Sequence, residues 1–348
     1  MTQAQIKPAQ EHNSAPHPLA GKEVLVTGAT GFTGKVLVTK LLKVGAKVRA
    51  IARPSSDLSG IEHDKIEWFR GDVYQPEIIQ EAAHGMQYIF HVAAAFRQPG
   101  IEDSEYRKVH VDSTKQLAQC AKDQPNFERF IHVSTMGVHG HVENPPGDEN
   151  SPYAPGDEYQ RTKLEAEQWF EQYALENKIP YTIIRPTGIF GPGDRRLLKV
   201  FRMVKWPLFP ILGNGKCYYH LVHVDDLTDA MILSATHPAA LSEAFLVGNT
   251  EAIQLEDMAK IIATELGKSA RVLRIPVAPF FLMADLCEAI CKPLGIDPPL
   301  YRRRVAFYTK DRWFSTSKIR EKLGFTCSLS NEEGIKQTTR WYKQQGWL

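Results

Sequence analysis

An excess of charge of either sign is missing: 42 basic and 40 acidic side chains leave a formal net charge of +2 over 348 residues. A chain so balanced has no broad basic field with which to hold nucleic acid. Cysteine is scarce and odd in number, five in all. Cys287 and Cys291 lie one helical turn apart, but no further Cys or His joins them at zinc-ligand spacing. The expectation is therefore packed, reduced thiols in a cytoplasmic compartment, with no metal site. Long apolar runs are missing too. The most apolar stretch, 277–290, is interrupted by Asp285 and Glu288 and falls short of the ~20 residues a membrane span needs. The start of the chain is polar and Pro-rich, without the apolar core of an export signal. Residues 1–20 are expected to form a disordered leader.

What is there is ordinary globular composition, 43% hydrophobic and 24% charged, at a length that suggests about two domains at ~150 residues each. Strand-like runs at 22–27, 47–52, 66–69, 88–93, 129–134 and 181–185 alternate with helix-like patterns at 34–42, 75–83, 106–122 and 159–177. Such alternation predicts an α/β fold, a doubly wound parallel sheet with helices on both faces. The rhythm breaks near Arg185, where Pro186, Gly188, Gly191, Pro192 and Gly193 crowd in. Residues 21–185 are expected to form a dinucleotide-binding domain. Residues 186–348 are expected to be mainly a smaller substrate domain, with late strands at 221–224 and 244–247 interleaved into the sheet.

The first strand runs into TGATGFTG at 27–34. Three glycines at three-residue spacing between a strand and a helix suit a turn that needs positive φ. They also let the backbone approach a pyrophosphate and pack the helix close to the strand. The free N–H groups at the helix start would meet the phosphates. The spacing differs from the ordinary dinucleotide fingerprint. It resembles the signature of the extended short-chain dehydrogenase/reductase superfamily (NAD(P)-dependent epimerases and dehydratases), which includes UDP-sugar epimerases, 3β-hydroxysteroid dehydrogenases and dihydroflavonol-4-reductase-like enzymes. The resemblance runs from about Lys22 to the C-terminus. It is carried further by GDV at 71–73, HVAA at 91–94, YQRTK at 159–163, Arg185-Pro186 and HVDDL at 223–227. It implies a Rossmann-type fold in which Gly28, Gly31, Phe32, Thr33 and Gly34 hold the pyrophosphate, Asp72 and Val73 the adenine, and Ala93, Ala94 and Pro186 line the cofactor.

The second strand carries Ala52 where an NAD site places an acid for the ribose 2′-hydroxyl, and Arg53 follows. An Arg supplies forked donors to a 2′-phosphate, and Ser55 and Ser56 add hydroxyls. NADP(H) is therefore expected over NAD(H).

Tyr159 and Lys163 are four apart and share a helix face. A nearby ammonium lowers a phenol's pKa toward a useful range, and the resemblance makes the pair catalytic, with Lys163 also on the ribose. By register with the superfamily, Thr135 takes the catalytic Ser/Thr position, with Ser134 as the alternative. One departure is plain: the helix near Tyr106 usually carries Asn before a Val-x-x-Thr, and here His110 stands in that place. This puts the usual support of the active-site backbone in doubt: a His could still bond it, or be a plain helix residue.

Nucleotide-sugar enzymes of the superfamily carry an Arg at the position of Tyr219. Its loss argues against a diphosphate-bearing substrate unless Arg195, Arg196 or Arg202 compensates. Met136-Gly137 cannot serve as a dehydratase acid–base pair. The apolar C-terminal half, with Phe201, Met203, Trp206, Leu208, Phe209 and 280–283, resembles the 3β-hydroxysteroid dehydrogenase and dihydroflavonol-reductase branch. The expected function is hydride transfer between nicotinamide and a secondary alcohol or ketone on a bulky apolar substrate. A nucleotide-sugar epimerase and a non-catalytic dinucleotide sensor are the alternatives. Apolar 277–290 followed by Arg302, Arg303 and Arg304 leaves a peripheral membrane contact open beside a buried helix. A homodimer is likewise left open.

Overall fold

The computed structural model describes residues 16–348 except 62, 96–101, 295, 297, 303–304 and 306–308. Of the expected leader, 1–15 lie outside the described residues, whereas Leu19 is fully buried against the first core cluster. In chain order the elements begin β1 (Glu23–Thr27), α1 (Phe32–Lys43), β2 (Lys47–Ala52), β3 (Ile66–Arg70), α2 (Pro76–Ala83) and β4 (Tyr88–His91). They continue α3 (Asp103–Arg107), α4 (Ser113–Lys122), β5 (Arg129–Val133), α5 (Glu158–Glu176), β6 (Tyr181–Pro186), β7 (Gly188–Phe190), α6 (Leu198–Met203) and β8 (Phe209–Leu212). Next come β9 (Tyr218–Tyr219), β10 (Leu221–His223), α7 (Val224–Thr236), β11 (Glu243–Val247), β12 (Ile253–Gln254), α8 (Leu255–Glu265), β13 (Val272–Ile275) and α9 (Ala278–Cys291). The last two helices are α10 (Ser317–Leu323) and α11 (Asn331–Gln344).

Seven strands form one parallel sheet in the order β11-β6-β5-β4-β1-β2-β3. Strands β4, β5 and β6 are apolar enough to be buried along their whole length, as a sheet covered on both faces requires. On one face Leu37, Val38 and Leu41 of α1 and Leu227 and Met231 of α7 pack with Val24, Val26 and Ile131. On the other, Ile79 of α2, Leu117 of α4 and Phe170 of α5 pack with Leu25, Phe130 and Ile183. A third cluster, apart from the sheet, joins Phe201 of α6, Phe209 of β8, Ile262 of α8 and Ile335 and Tyr342 of α11.

Three elements differ from the sequence expectation. Of the two late strands, β11 joins the sheet beside β6, but β10 pairs with β7 in a separate two-stranded ladder. A short apolar run declares burial, and its partner is decided by where the chain has already gone. The single helix expected at 106–122 is interrupted: Lys108–Asp112 is a π-helical turn between α3 and α4. The stretch 277–290 does form a helix, α9, yet among its described residues only Ala284 is buried, and Leu282 and Leu286 are 71% and 62% exposed. Arg302, the first residue of the basic run, ion-pairs with Asp285 of α9 at 2.5 Å, and its backbone N–H donates to Glu288. Arg303 and Arg304 lie outside the described residues. No helix among the described residues is long and apolar enough to cross a membrane.

Candidate active site

Because all seven strands run parallel, their carboxyl ends share one edge of the sheet. The chain leaves β1 toward β2 and β3 on one side and returns to β4, β5 and β6 on the other. The gap between the ends of β1 and β4 is thus the switch point where doubly wound sheets bind ligands.

The glycine turn lies at that gap. Gly28 has φ +72°, and a Cβ there would stand 2.8 Å from the backbone nitrogen of Ala93. A Cβ on Gly34 would meet the Gly28 carbonyl at 2.0 Å. The first glycine therefore lets β1 and the end of β4 approach, and the last lets α1 start directly beneath the turn. Gly31 is the N-cap of α1, and no side chain caps it, so the uncapped N–H groups and the positive end of the helix dipole face outward. This cradle fits the pyrophosphate of a dinucleotide. Phe32 and Thr33 form the first turn of α1. Arg53 is exposed just past β2, in a turn closed by Ser56 N–H donating to its carbonyl at 2.9 Å. Ser56 Oγ stands 3.5 Å from Thr30 Oγ1, next to the glycine turn. Asp72 and Val73 are half-buried beyond β3, and the Asp72 N–H donates to Gln75 Oε1 at 2.7 Å. Tyr74 is electrostatically linked to both sides of this pocket. Burial and the charge of Asp72 raise its pKa, and Arg53 opposes them. Ala93 is buried and Ala94 exposed beyond β4, and Pro186 ends β6.

Of the residues expected to be catalytic, Lys163 and Thr135 meet the end of β5, and Tyr159 stands on α5 one turn before Lys163. Asp157 caps α5 by accepting the Gln160 N–H, which places Tyr159 in the first turn, half-buried. Lys163 is buried, and its Nζ donates to the Val133 carbonyl at 2.9 Å, at the last residue of β5. Burial lowers its pKa from the usual lysine value to about 8, and the Glu167 carboxylate opposes the shift. Glu167 lies one further turn along the same face and ion-pairs with Arg185 of β6 at 2.6 Å, both side chains buried. Thr135 is half-buried and caps the turn after β5. Its Oγ1 accepts the Gly137 N–H at 3.0 Å. Gly137 is pressed against α5: a Cβ there would lie 2.9 Å from Gln160 Nε2 and 3.2 Å from Thr135 Oγ1. Ser134, by contrast, is buried.

The His110 substitution keeps its backbone contact: Ala95 N–H donates to His110 Nε2 at 3.0 Å. Tyr219 stands on β9 across from Ile253, with Arg312 bridged to its backbone. Of the arginines expected to compensate, Arg195 lies over the Trp347 ring at 5.0 Å, Arg196 pairs with Asp194 at 3.0 Å, and Arg202 donates to the Trp347 carbonyl. Sequence reasoning missed Glu167 and Arg312. The first was signalled by the Tyr159–Lys163–Glu167 spacing of four. The second had no sequence signal, because it comes from a strand segment ninety residues away.

A glycine cradle at the switch point, with a lysine and a phenol on the helix beside it, defines a nicotinamide-dinucleotide-binding enzyme of Rossmann type. The chain belongs to the NAD dependent epimerase/dehydratase family, whose model matches residues 24–248. It is similar to the 3-beta-hydroxysteroid dehydrogenase of Mycolicibacterium neoaurum, 29% identical over 92% of this chain and 91% of that one. It is also similar to the UDP-glucose 4-epimerase of Vibrio cholerae, 26% identical over 93% and 96%. The fold is matched by epimerase Mth375 of Methanothermobacter thermautotrophicus, with a TM-score of 0.77, 25% identity and coverage of 94% of both chains.

Proposed function

We infer that the protein is an NADP(H)-preferring oxidoreductase that interconverts a secondary alcohol and a ketone on a bulky, largely apolar substrate, steroid-, sterol- or flavonoid-like. The observation that carries this reading is the anchoring of α5, which bears Tyr159 and Lys163, to the end of β5 through the Lys163–Val133 hydrogen bond, beside the turn that Thr135 caps. Residues 21–185 then serve mainly the cofactor and 186–348 mainly the substrate, and the five free thiols suit a reducing compartment.

When bound, reduced nicotinamide supplies hydride to a carbonyl carbon. As charge builds on the carbonyl oxygen, Tyr159 gives it a proton and the Thr135 hydroxyl donates a hydrogen bond to it. Lys163, held by the Val133 carbonyl, favours the phenolate that Tyr159 becomes and reaches toward the nicotinamide ribose. Thr135 rather than Ser134 suits this role because it is the more exposed of the two, Ser134 being buried. Arg53 meets the 2′-phosphate.

The 26%-identical UDP-glucose 4-epimerase keeps a sugar-nucleotide reading as the rival. Tyr219 in place of the clamp, and the engagement of Arg195, Arg196 and Arg202 elsewhere, count against it. The test is a panel of steroids, flavonoids and nucleotide sugars, followed at the reduced-nicotinamide absorbance band, with calorimetry on the nucleotide sugars. Turnover of an apolar ketone or alcohol with NADP(H) is expected. Micromolar binding and epimerisation of a UDP-sugar would overturn the assignment. Arg53→Ala should weaken NADPH by about 1–3 kcal/mol and barely alter NADH; equal wild-type affinity for both cofactors would remove the NADP(H) preference.

A further inference from the structure

Two buried histidines flank the backbone that follows β4, and for His110 a backbone N–H fixes which ring nitrogen carries the proton. A backbone N–H can only donate. Ala95 N–H therefore donates to Nε2 of His110, and the ring proton must sit on Nδ1. That Nδ1–H donates to Thr162 Oγ1 at 2.8 Å, and the Thr162 hydroxyl donates back to the carbonyls of Glu158 and Tyr159 at 2.8 and 3.2 Å. A second chain starts two residues earlier. Ala93 N–H donates to Thr27 Oγ1, which is hydrogen-bonded to His91 Nδ1 at 2.7 Å. His91 Nε2 meets Thr114 Oγ1 at 3.0 Å and Ser113 Oγ at 3.2 Å, and the Thr114 hydroxyl donates to the carbonyl of His110 itself at 2.6 Å. The two chains meet at His110.

The π-helical turn Lys108–Asp112 sets this residue in place. It widens the helix locally and leaves His110 buried, with its ring edge-on to that of Tyr159, centroids 5.2 Å apart at 87°. Burial, with Lys163 and His91 adding, holds its pKa down at about 2, and burial, with Lys163 adding, holds that of His91 at about 3. Burial thus favours the neutral form of both rings.

We propose that His110 is a positioning residue: its two ring nitrogens tie the cofactor-facing backbone at 93–95 to the first turn of α5, and so fix where the Tyr159 hydroxyl stands relative to bound nicotinamide. The proposal rests on the assignment of Tyr159 as the proton donor. It needs one acceptor and one donor at fixed separation, which a side-chain amide also provides and an aromatic hydrocarbon of similar size does not. Misplacing a reacting group by about 1 Å costs ~10²-fold in rate, so the effect belongs in kcat.

The test compares His110→Asn, His110→Phe and Thr162→Val, the last removing only the second link. With the ketone or alcohol found above, His110→Phe should lower kcat at least ~10-fold and leave the substrate KM within about twofold. His110→Asn should recover most of the loss, and Thr162→Val should fall between. A readout that needs no substrate accompanies it: titration of the Tyr159 phenol by ultraviolet difference spectroscopy, each variant against its own Tyr159→Phe partner. The midpoint should move in His110→Phe and stay near wild type in His110→Asn. Should His110→Phe fail to fold, Thr162→Val against His110→Asn makes the same contrast. Wild-type kcat and phenol midpoint in His110→Phe or Thr162→Val would overturn the proposal, as would equal loss in the Phe and Asn variants. If no apolar ketone is turned over, the functional assignment falls, while the phenol titration still decides the role of His110.

Discussion

The belt formed by β5, α5 and β6 and the stretch around α9 are both rich in apolar residues, yet they have opposite fates. In the belt Phe130, Phe170, Tyr181 and Ile183 are buried against one another, and two of the charged side chains that enter it are tied down: Lys163 to Val133, Glu167 to Arg185. Around α9, Leu282, Met283, Leu286 and Ile290 are exposed. Apolar content alone therefore does not say which part of a chain is core. What separates the two is the sheet, which offers the belt a continuous partner on either side and offers α9 none.

Four substitutions sharpen this contrast. Tyr159→Phe removes one hydroxyl from the belt, so fold and cofactor binding should survive while turnover falls by ~10²-fold or more. Wild-type turnover in steady-state assays would place the chemistry elsewhere. Phe170→Ala opens a cavity between Phe130, whose ring is tilted against it with centroids 4.5 Å apart, and Tyr181. It should cost about 3–5 kcal/mol in denaturant unfolding.

Lys163→Met acts on both scales. Turnover and cofactor affinity should fall together. The stability effect depends on pH, because the folded Lys163 has its pKa lowered to about 8 while the unfolded one stays near the usual ~10.5. Between these values the unfolded chain binds more protons, so stability rises with pH. The wild type should gain on Lys163→Met as pH climbs from about 8 toward 10, read as the difference in Tm. A pH-independent difference would mean the ammonium is not buried in solution. At the small end, Leu286→Ser on α9 should change stability by no more than about 0.5 kcal/mol; a loss comparable to Phe170→Ala would show that this helix is covered in solution.

The parts legible in the sequence were those with local causes. The glycine spacing at 28–34 predicted the turn because each glycine answers a steric demand within a few residues. Tyr159, Lys163 and Thr135 were proposed from spacing and register; the structure sets Lys163 on the last carbonyl of β5 and Thr135 in the turn that follows. Pairing across the chain was not legible: β10 went to β7, and Arg312 came to lie beside Tyr219, because neither partner is written in the local pattern. The π-helical turn was hidden for a related reason. A helix pattern shows the period of the apolar face but not the extra residue that His110 requires to reach both Ala95 and Thr162.

The segment after α9 carries one more consequence. Residues 311–315 lace the loop between β5 and α5 to β9 and β10. Val142 N–H donates to the Asp311 carbonyl, Gly147 N–H to that of Trp313, and Phe314 N–H to His220 Nδ1. The loop that they hold also presents Tyr153 to Arg185. A ribosome emits the chain from its N-terminus at about 5–20 residues per second, so the stretch from Lys163 to Ser315 takes on the order of ten to thirty seconds to follow. During that interval the loop between β5 and α5 lacks the carbonyls of Asp311 and Trp313 that hold it. The newborn chain has to wait for its last tenth before this loop is fastened, and a message truncated before codon 311 would yield a chain in which it never is.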